Sequence, residues 1–466
     1  MNRRQSMSFI PLTFAGIAET VRRAAAEGIG EAVTARPGDR PLSAVYAEKA
    51  RDMLLEVRRT QSENLLEASY AIARTVMNGG RCWNQWDMGH STSYDLAPGR
   101  NGLPEIITDG FDPDRARDGD CFLANRRSAY PVLDEKDIFV IGSPSPWSLD
   151  AQGNTGIELE SAMYRVRPYA DIWIETNITR IGSVIRVPGM PAPMGPVSGI
   201  LGLATFWMMM ADACRVLARD GHPVPVRGDE KPLADNAAGQ VSLYAPLMDD
   251  YFDALLMELD MIGAEMGALR EIARMAADSV LSGGKVYGFS RYMHALAYEA
   301  QQRRGGMSLT YQGLYDKEGE ITALRDTFEP GGGDTVVMGI FEPDNPEDLR
   351  CLDLFRGYGM KVASIGPMTR GRTIPPGRTV PKEADVHIGR MCDTYGLFAV
   401  PGFERKVCPT SGVLQCQLWH TLQFEIFEEM IRRTNGNIPY VYLNGAVRGG
   451  MEHVYRTNAV YRERGY

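Results

Sequence analysis

Three histidines and a set of serines stand where a chain can do chemistry, directly behind short apolar runs or at the start of a long helical one. His90 lies in Asp87-Met88-Gly89-His90-Ser91, behind the run from Arg81 to Trp86, and His294 lies in Ser290-Arg291-Tyr292-Met293-His294, behind the run from Lys285 to Phe289. His420 sits within the long run that opens at Pro409-Thr410-Ser411. An imidazole titrates near neutrality, so each of the three is a candidate acid or base for moving a proton. Hydroxyls and backbone amides behind strands suit an anionic or polyhydroxylated ligand. On that ground Gly89, Ser91, Ser143, Ser145, Ser148, Ser198, Ser290, Arg291 and Ser411 are the candidate substrate-binding residues. Serine and proline are also ordinary loop residues, so the loop Ser143-Pro144-Ser145-Pro146-Trp147-Ser148 has a bland reading beside the functional one. No metal site and no cofactor is expected. The seven cysteines lack C-x-x-C spacing, and neither a P-loop nor a G-x-G-x-x-G follows a strand.

The elements that must position these groups come in two copies. A long amphipathic stretch from Leu42 to Asn78 ends in Gly79-Gly80, and another over 244–282 ends in Gly283-Gly284, 204 residues later. The strand-like run Lys136-Asp137-Ile138-Phe139-Val140-Ile141-Gly142 is matched to Gly333-Asp334-Thr335-Val336-Val337-Met338-Gly339, 197 residues on. Pro196-Val197-Ser198-Gly199-Ile200-Leu201 returns 213 residues later as Pro409-Thr410-Ser411-Gly412-Val413-Leu414. Each of these last two reads as a helix start, the serine hydroxyl satisfying free backbone N–H groups. Ordered landmarks at near-constant spacing mark a duplicated domain.

In the first copy a helix around Glu158 to Tyr164 precedes strands at Ala170–Glu175 and Ser183–Pro188. The helix behind Ser198 is apolar nearly all round from Ile200 to Ala211, a buried helix whose apolar run stops at Asp212, short of the roughly 20 residues a bilayer needs. The second copy has a strand at Met360–Gly366 for which the first copy offers no room, so the first is expected to be one strand short. Residues 24–41 read as a mobile lead-in and 227–240 as a polar, turn-rich linker.

Composition excludes some partners. With 466 residues, a net charge of -9 and 44% hydrophobic residues, the chain suits two soluble domains and argues against nucleic acid or a membrane as partner. A small molecule is the expected ligand, and a homo-oligomer is compatible with the chain. An odd number of cysteines without a framework fits free thiols and a cytoplasmic chain. Arg3-Arg4 ahead of the apolar run from Phe9 to Ala18 gives the alternative, export through a twin-arginine type of signal.

The order of long helix, Gly-Gly, strand, Gly89-His90-Ser91, serine loop, Ala170-Asp171 strand and Gly195-Pro196-Val197-Ser198 before a buried helix resembles the sugar isomerase (SIS) domain. It is most similar to the uncharacterised phosphosugar-binding-like branch, over residues 42–226 and again over 244–445. The resemblance implies an α/β fold of two tandem flavodoxin-like, doubly wound parallel-sheet domains packed as a pseudo-dimer. It divides the chain into a lead-in or export signal (1–41), a first domain (42–226), a linker (227–243), a second domain (244–445) and a tail (446–466). It also implies binding of a sugar phosphate or other carbohydrate derivative between the two domains, with isomerisation of aldose–ketose type, the alternative being a sugar-binding module without turnover. Two departures stand out. The serine loop carries prolines where the family has glycine, and the loop Phe341-Glu342-Pro343-Asp344-Asn345-Pro346 in the second copy has two carboxylates that would repel a phosphate. Three arginines in Thr369–Arg378 offer an anion a different contact.

Overall fold

The computed structural model of the protein describes residues 32–86, 102–124, 132–144, 166–178, 183–190, 193–227, 241–291, 295–300, 312–317, 319–323, 328–369, 373–389 and 396–436. After a short strand β1 (Val33–Thr34) comes helix α1 (Leu42–Met77), which buries Tyr46, Met53, Leu54, Val57, Leu65 and Ile72 along one side. Its end follows from glycine. Gly79 takes φ +71°, its N–H donates to Val76 O at 2.9 Å, and Gly80 N–H donates to Thr75 O at 2.8 Å, a Schellman closure. The chain can then enter β2 (Cys82–Gln85), followed by β3 (Ile107–Asp109), β4 (Cys121–Ala124), β5 (Phe139–Gly142) and β6 (Ile172–Trp173). These five strands form one parallel sheet in the order β3-β2-β4-β5-β6. Strands β7 (Ser183–Arg186) and β8 (Met194–Pro196) leave that sheet and pair with β1 in a small one of their own, ahead of helix α2 (Ser198–Arg219).

The second half repeats the plan. The helical stretch is broken here into α3 (Leu247–Met261) and α4 (Met266–Leu281) by a 3₁₀ turn at Ile262–Glu265 that contains Gly263. Gly283 and Gly284 close α4 as Gly79 and Gly80 close α1, with Gly284 N–H on Ser279 O at 2.7 Å. Then follow β9 (Val286–Ser290), the short helix α5 (Ala295–Glu299), β10 (Gln312–Lys317), β11 (Glu320–Ala323), β12 (Thr335–Gly339), helix α6 (Pro346–Gly357), β13 (Lys361–Ile365), β14 (Val386–Ile388) and helix α7 (Ser411–Arg433). The sheet order is β11-β10-β9-β12-β13-β14, parallel except for the β11 edge.

The two sheets agree in register as well as in order. Cys82 faces Cys121 across β2 and β4 as Val286 faces Thr335 across β9 and β12; Ile141 faces Ile172 as Ala363 faces Val386. Side-chain roles repeat too. Asp120 accepts from the backbone N–H groups of Arg81 (2.8 Å) and Arg117 (3.1 Å), and Asp334 accepts from those of Lys285 and Gly331 (2.7 Å each). Asp171 receives Val140 N–H as Asp385 receives Val362 N–H. Tyr46 donates its hydroxyl to Pro196 O at 2.7 Å, and Tyr251 donates to Pro409 O at 3.2 Å. Each half is α/β with a doubly wound sheet of flavodoxin-like order.

This register corrects the sequence reading at one point. The first half is not short of a strand, because Asp120-Cys121-Phe122-Leu123-Ala124 supplies it. Its partner in the second half is β12, 214 residues on, while β5 corresponds to β13 rather than to β12. The loop at Ser143 and the acidic loop behind β12 therefore follow different strands, and the contrast drawn between them is not one of equivalent positions. Two smaller differences follow. Residues 32–41 contribute β1, whose Val33 pairs with Ile185. Ser198 and Ser411 are first residues within their helices rather than caps: Val197 and Thr410 hold the cap positions without a side-chain bond to the helix.

The core is largely shared. Helices α1, α2 and α7 pack on one another, and one hydrophobic cluster runs from Leu42 and Tyr46 through Trp207 to Trp419 and Phe427. Helix α2 is long and apolar enough to cross a membrane, but Ser198–Leu217 are all buried inside the protein and only Ala218 and Arg219 at its end reach the surface.

Candidate functional site

In a doubly wound sheet, ligands bind beyond the carboxyl ends of the strands, where the following helices also start. In the second half that edge carries Ser290 at the end of β9, and it is fully buried. Arg291 follows, 7% exposed, its Nε 2.9 Å from Asp348 Oδ1 and its guanidinium 5.3 Å over the Phe341 ring. Asp348 also receives Phe341 N–H at 3.1 Å, and burial, only partly offset by Arg291, pushes its carboxyl up to about 6. Arg291 thus joins β9 to the start of α6. The loop behind β12 has a local duty as well: Asn345 caps α6, its Oδ1 accepting from Glu347 N–H (2.9 Å) and Asp348 N–H (3.2 Å).

The most distinctive grouping lies one layer in. His420, in the middle of α7, places Nε2 2.9 Å from Glu299 Oε2 at the end of α5, with both side chains within 2% of full burial. The other imidazole nitrogen, Nδ1, lies 3.3 Å from Gln423 Oε1. Tyr46 of α1 sets its ring edge-on to His420, with centroids 5.9 Å apart, and packs on Phe424 at 5.3 Å. Its phenol is held well above its ordinary pKa by burial and by the Glu299 charge. A histidine and a glutamate of the second half therefore meet a tyrosine of the first. Nearby, Gln415 Oε1 accepts Leu296 N–H at 3.3 Å and so ties α5 to α7.

Of the residues expected from sequence, His420, Ser290, Arg291 and Ser411 fall in this half, Ser411 fully buried at the start of α7. Ser143 and Ser198 fall in the first half, also buried, behind β5 and at the start of α2. Gly89, His90, Ser91, Ser145, Ser148 and His294 lie outside the described residues. Within the arginine segment, Arg378 is engaged by Asp353 and Glu383 on the surface, which leaves it poorly placed for a separate anion.

Two groups had no sequence signal. Glu299 is one glutamate among many until the fold brings it to His420, 121 residues away. His387 is the other: it faces Ser364 across β13 and β14, with Nδ1 2.8 Å from Ser364 Oγ, while burial lowers its pKa to about 4. An imidazole so reluctant to protonate is neutral throughout the ordinary pH range. Among the described residues no group of three or more His, Cys, Asp or Glu side chains is arranged to hold a metal ion.

No family model matches the chain. One curated protein, UPF0309 protein lmo0025 of Listeria monocytogenes, is 24% identical over 212 residues, covering 43% of this chain and 89% of its own. Among solved structures, the C-terminal domain of glucosamine-fructose-6-phosphate aminotransferase from Francisella tularensis aligns over 83% of this chain and 97% of its own, at 10% identity and TM-score 0.39. Glucosamine-6-phosphate deaminase from Thermotoga maritima aligns over 87% and 99%, at 11% identity and TM-score 0.38. Tagatose-6-phosphate ketose/aldose isomerase from Escherichia coli aligns over 86% and 95%, at 10% identity and TM-score 0.40. The chain is similar to proteins of the sugar isomerase kind in its motif order, and solved structures of phosphosugar enzymes are among those it resembles.

Proposed function

We propose that the chain binds a phosphorylated sugar or a related carbohydrate derivative between its two halves, and that Glu299 and His420 serve there as an acid–base couple. The observation that carries this reading is the buried 2.9 Å contact between them, with Tyr46 of the other half against the imidazole. Aldose–ketose isomerisation moves one proton between adjacent carbons and needs one group to take it and return it, with another to relay protons between the sugar oxygens. A carboxylate hydrogen-bonded to an imidazole supplies both roles, and general acid–base catalysis of this type contributes on the order of 10²–10⁴-fold. The polar ends of β9 and α7, with Ser290 and Ser411, are the matching binding groups. His90 and His294 stand beside His420 as further acid–base candidates on sequence grounds, with Gly89, Ser91, Ser143, Ser145, Ser148 and Ser198 as further binding groups.

A binding module without turnover is the second reading, favoured by the near-complete burial of the couple. The experiment that separates the two measures melting temperature against glucose 6-phosphate, fructose 6-phosphate and the free sugars, then interconversion of any sugar that shifts it. Ligand at about 100 times its dissociation constant stabilises by about 2.7 kcal/mol, a readable shift. Interconversion that Glu299→Gln abolishes supports catalysis. A shift without interconversion supports the binding module, and no shift with any sugar overturns the proposal.

A further inference from the structure

The two halves agree residue by residue along their last helices. Gly195 and Cys408, both at positive φ, precede Pro196 and Pro409, and Asp212 and Glu425 lie in equivalent places, all 213 residues apart. Along that offset the interiors of the helices are opposite in character. Where α7 has Gln415, Gln417, His420, Thr421 and Gln423, α2 has Gly202, Ala204, Trp207, Met208 and Met210, and all ten are buried.

The apolar version is packed shut. Trp86, the first-half equivalent of Ser290, is fully buried and donates its indole N–H to Gly202 O at 3.2 Å. Trp207, standing where α7 has His420, is fully buried edge-on against Phe206. The polar version leaves groups unsatisfied. Gln417 is 2% exposed and donates to Thr421 Oγ1 at 3.5 Å, yet among the described residues its Oε1 has no partner, and the indole N–H of the fully buried Trp419 has none either. Gln417 and His420 are three residues apart and so share a helix face. Buried polar groups are normally paired, and an orphan acceptor beside an acid–base couple is what a bound polar molecule would satisfy.

We infer that the chain holds one ligand site, not two: the α7 side of the second half binds, while the equivalent α2 side of the first half is filled and the first half serves the single site from elsewhere, Tyr46 of α1 among its groups. This rests on the proposed function for the ligand's class, and on the contrast between α2 and α7 for its number and location.

The test uses the full chain. Titration calorimetry with fructose 6-phosphate and with glucose 6-phosphate is expected to give one site per chain. Gln417→Leu should weaken binding at least tenfold and raise the melting temperature of the ligand-free protein, since it removes an unpaired polar group. Trp207→Phe, which keeps the first half filled, should leave binding unchanged. Two sites per chain, or binding lost in Trp207→Phe and kept in Gln417→Leu, overturns the inference and leaves the proposed function standing. A lower melting temperature for ligand-free Gln417→Leu also overturns it, whatever the ligand. Binding of neither sugar phosphate overturns the proposed function instead, and the melting temperature of Gln417→Leu still decides whether the amide is an orphan.

Discussion

Asp212 and Glu425 hold the same position on the last helices of the two halves, and each reaches the start of the other half's first helix, where Asp212 itself and Glu428, one turn beyond Glu425, accept free backbone N–H groups. Asp212 on α2 accepts Leu247 N–H at 3.2 Å and Met248 N–H at 3.1 Å, at the start of α3. Glu425 on α7 accepts the Ser43 hydroxyl, while Glu428, one turn on, accepts Leu42 N–H at 3.2 Å, at the start of α1. Four otherwise orphaned N–H groups open every helix, and here the partners come from across the junction, so the capping bonds also fasten the halves together.

Removing Asp212 is expected to be costly. Its carboxylate is fully buried and pairs with Arg215, whose side chain is 3% exposed and also donates to Leu243 O. Asp212→Ala leaves that guanidinium buried without its counter-charge, a situation that costs about 3–5 kcal/mol. Asp212→Asn keeps one acceptor for the helix start and should cost less. Urea unfolding of the two variants checks the order, and equal midpoints for Asp212→Ala and the parent chain would refute the capping role.

The paired glycines give a comparison between halves. A Cβ on Gly80 would sit 2.6 Å from Gly119 O, whereas on Gly284 it would meet its nearest atoms at 3.1 Å. Backbone oxygen cannot swing aside as a side chain can, so Gly80→Ala is expected to destabilise by about 1–3 kcal/mol and Gly284→Ala by less. Thermal melts of the two single variants read this directly.

Much of this frame was legible in the sequence because it is local. Gly-Gly after an amphipathic run, and Pro-x-Ser-Gly before an apolar one, specify helix ends wherever they occur, and the duplication followed from their spacing. Strand β4 was missed because Cys121–Ala124 is four residues long and fully buried, with no alternation to mark it. That miss displaced the match of β5 and made the first half look short. His420 was reachable from its place on the last helix. Its partner Glu299 was not, since nothing local marks which carboxylate a fold will bring across 121 residues. The exchange of caps between halves is likewise a tertiary fact without a local signal.

The Arg291–Asp348 pair predicts a different kind of sensitivity. Arg291 is held between Asp348 and the Phe341 ring, so Asp348→Ala removes the carboxylate 2.9 Å from a buried guanidinium and should destabilise by up to about 3–5 kcal/mol. Asp348→Asn keeps an oxygen for Phe341 N–H and should lose less. Denaturant midpoints measured at pH 7.5, where the Asp348 carboxyl is ionised, decide it, and an Asp348→Ala midpoint equal to the parent's would show that the pair holds nothing.

The two exchanged caps differ in charge, and that difference sets a pH dependence. One turn after Asp212 stands Arg215; one turn after Glu425, in the equivalent place, stands Glu428. Glu428 is half-buried, and burial, with the Glu425 charge beside it, pushes its carboxyl up to about 7, against the Leu42 N–H and the Arg270 charge, which pull the other way. A carboxyl with a raised pKa in the folded state holds its proton more tightly there than in the unfolded chain. Stability from this group is therefore full below about pH 4.5 and declines as pH rises towards 7, where ionisation must be met in a confined place. The span corresponds to about 2–3 kcal/mol after allowance for partial exposure. Asp348, raised to about 6, slopes in the same direction over a lower, overlapping window, so the difference between the parent chain and a Glu428 variant, rather than any one pH interval, singles out Glu428. Glu428→Gln keeps an acceptor for Leu42 N–H and removes the charge. Its unfolding free energy should exceed the parent's at pH 8, and the gap should close as pH falls below 5. A gap of the same size at pH 5 and pH 8 would mean that Glu428 does not titrate in this range.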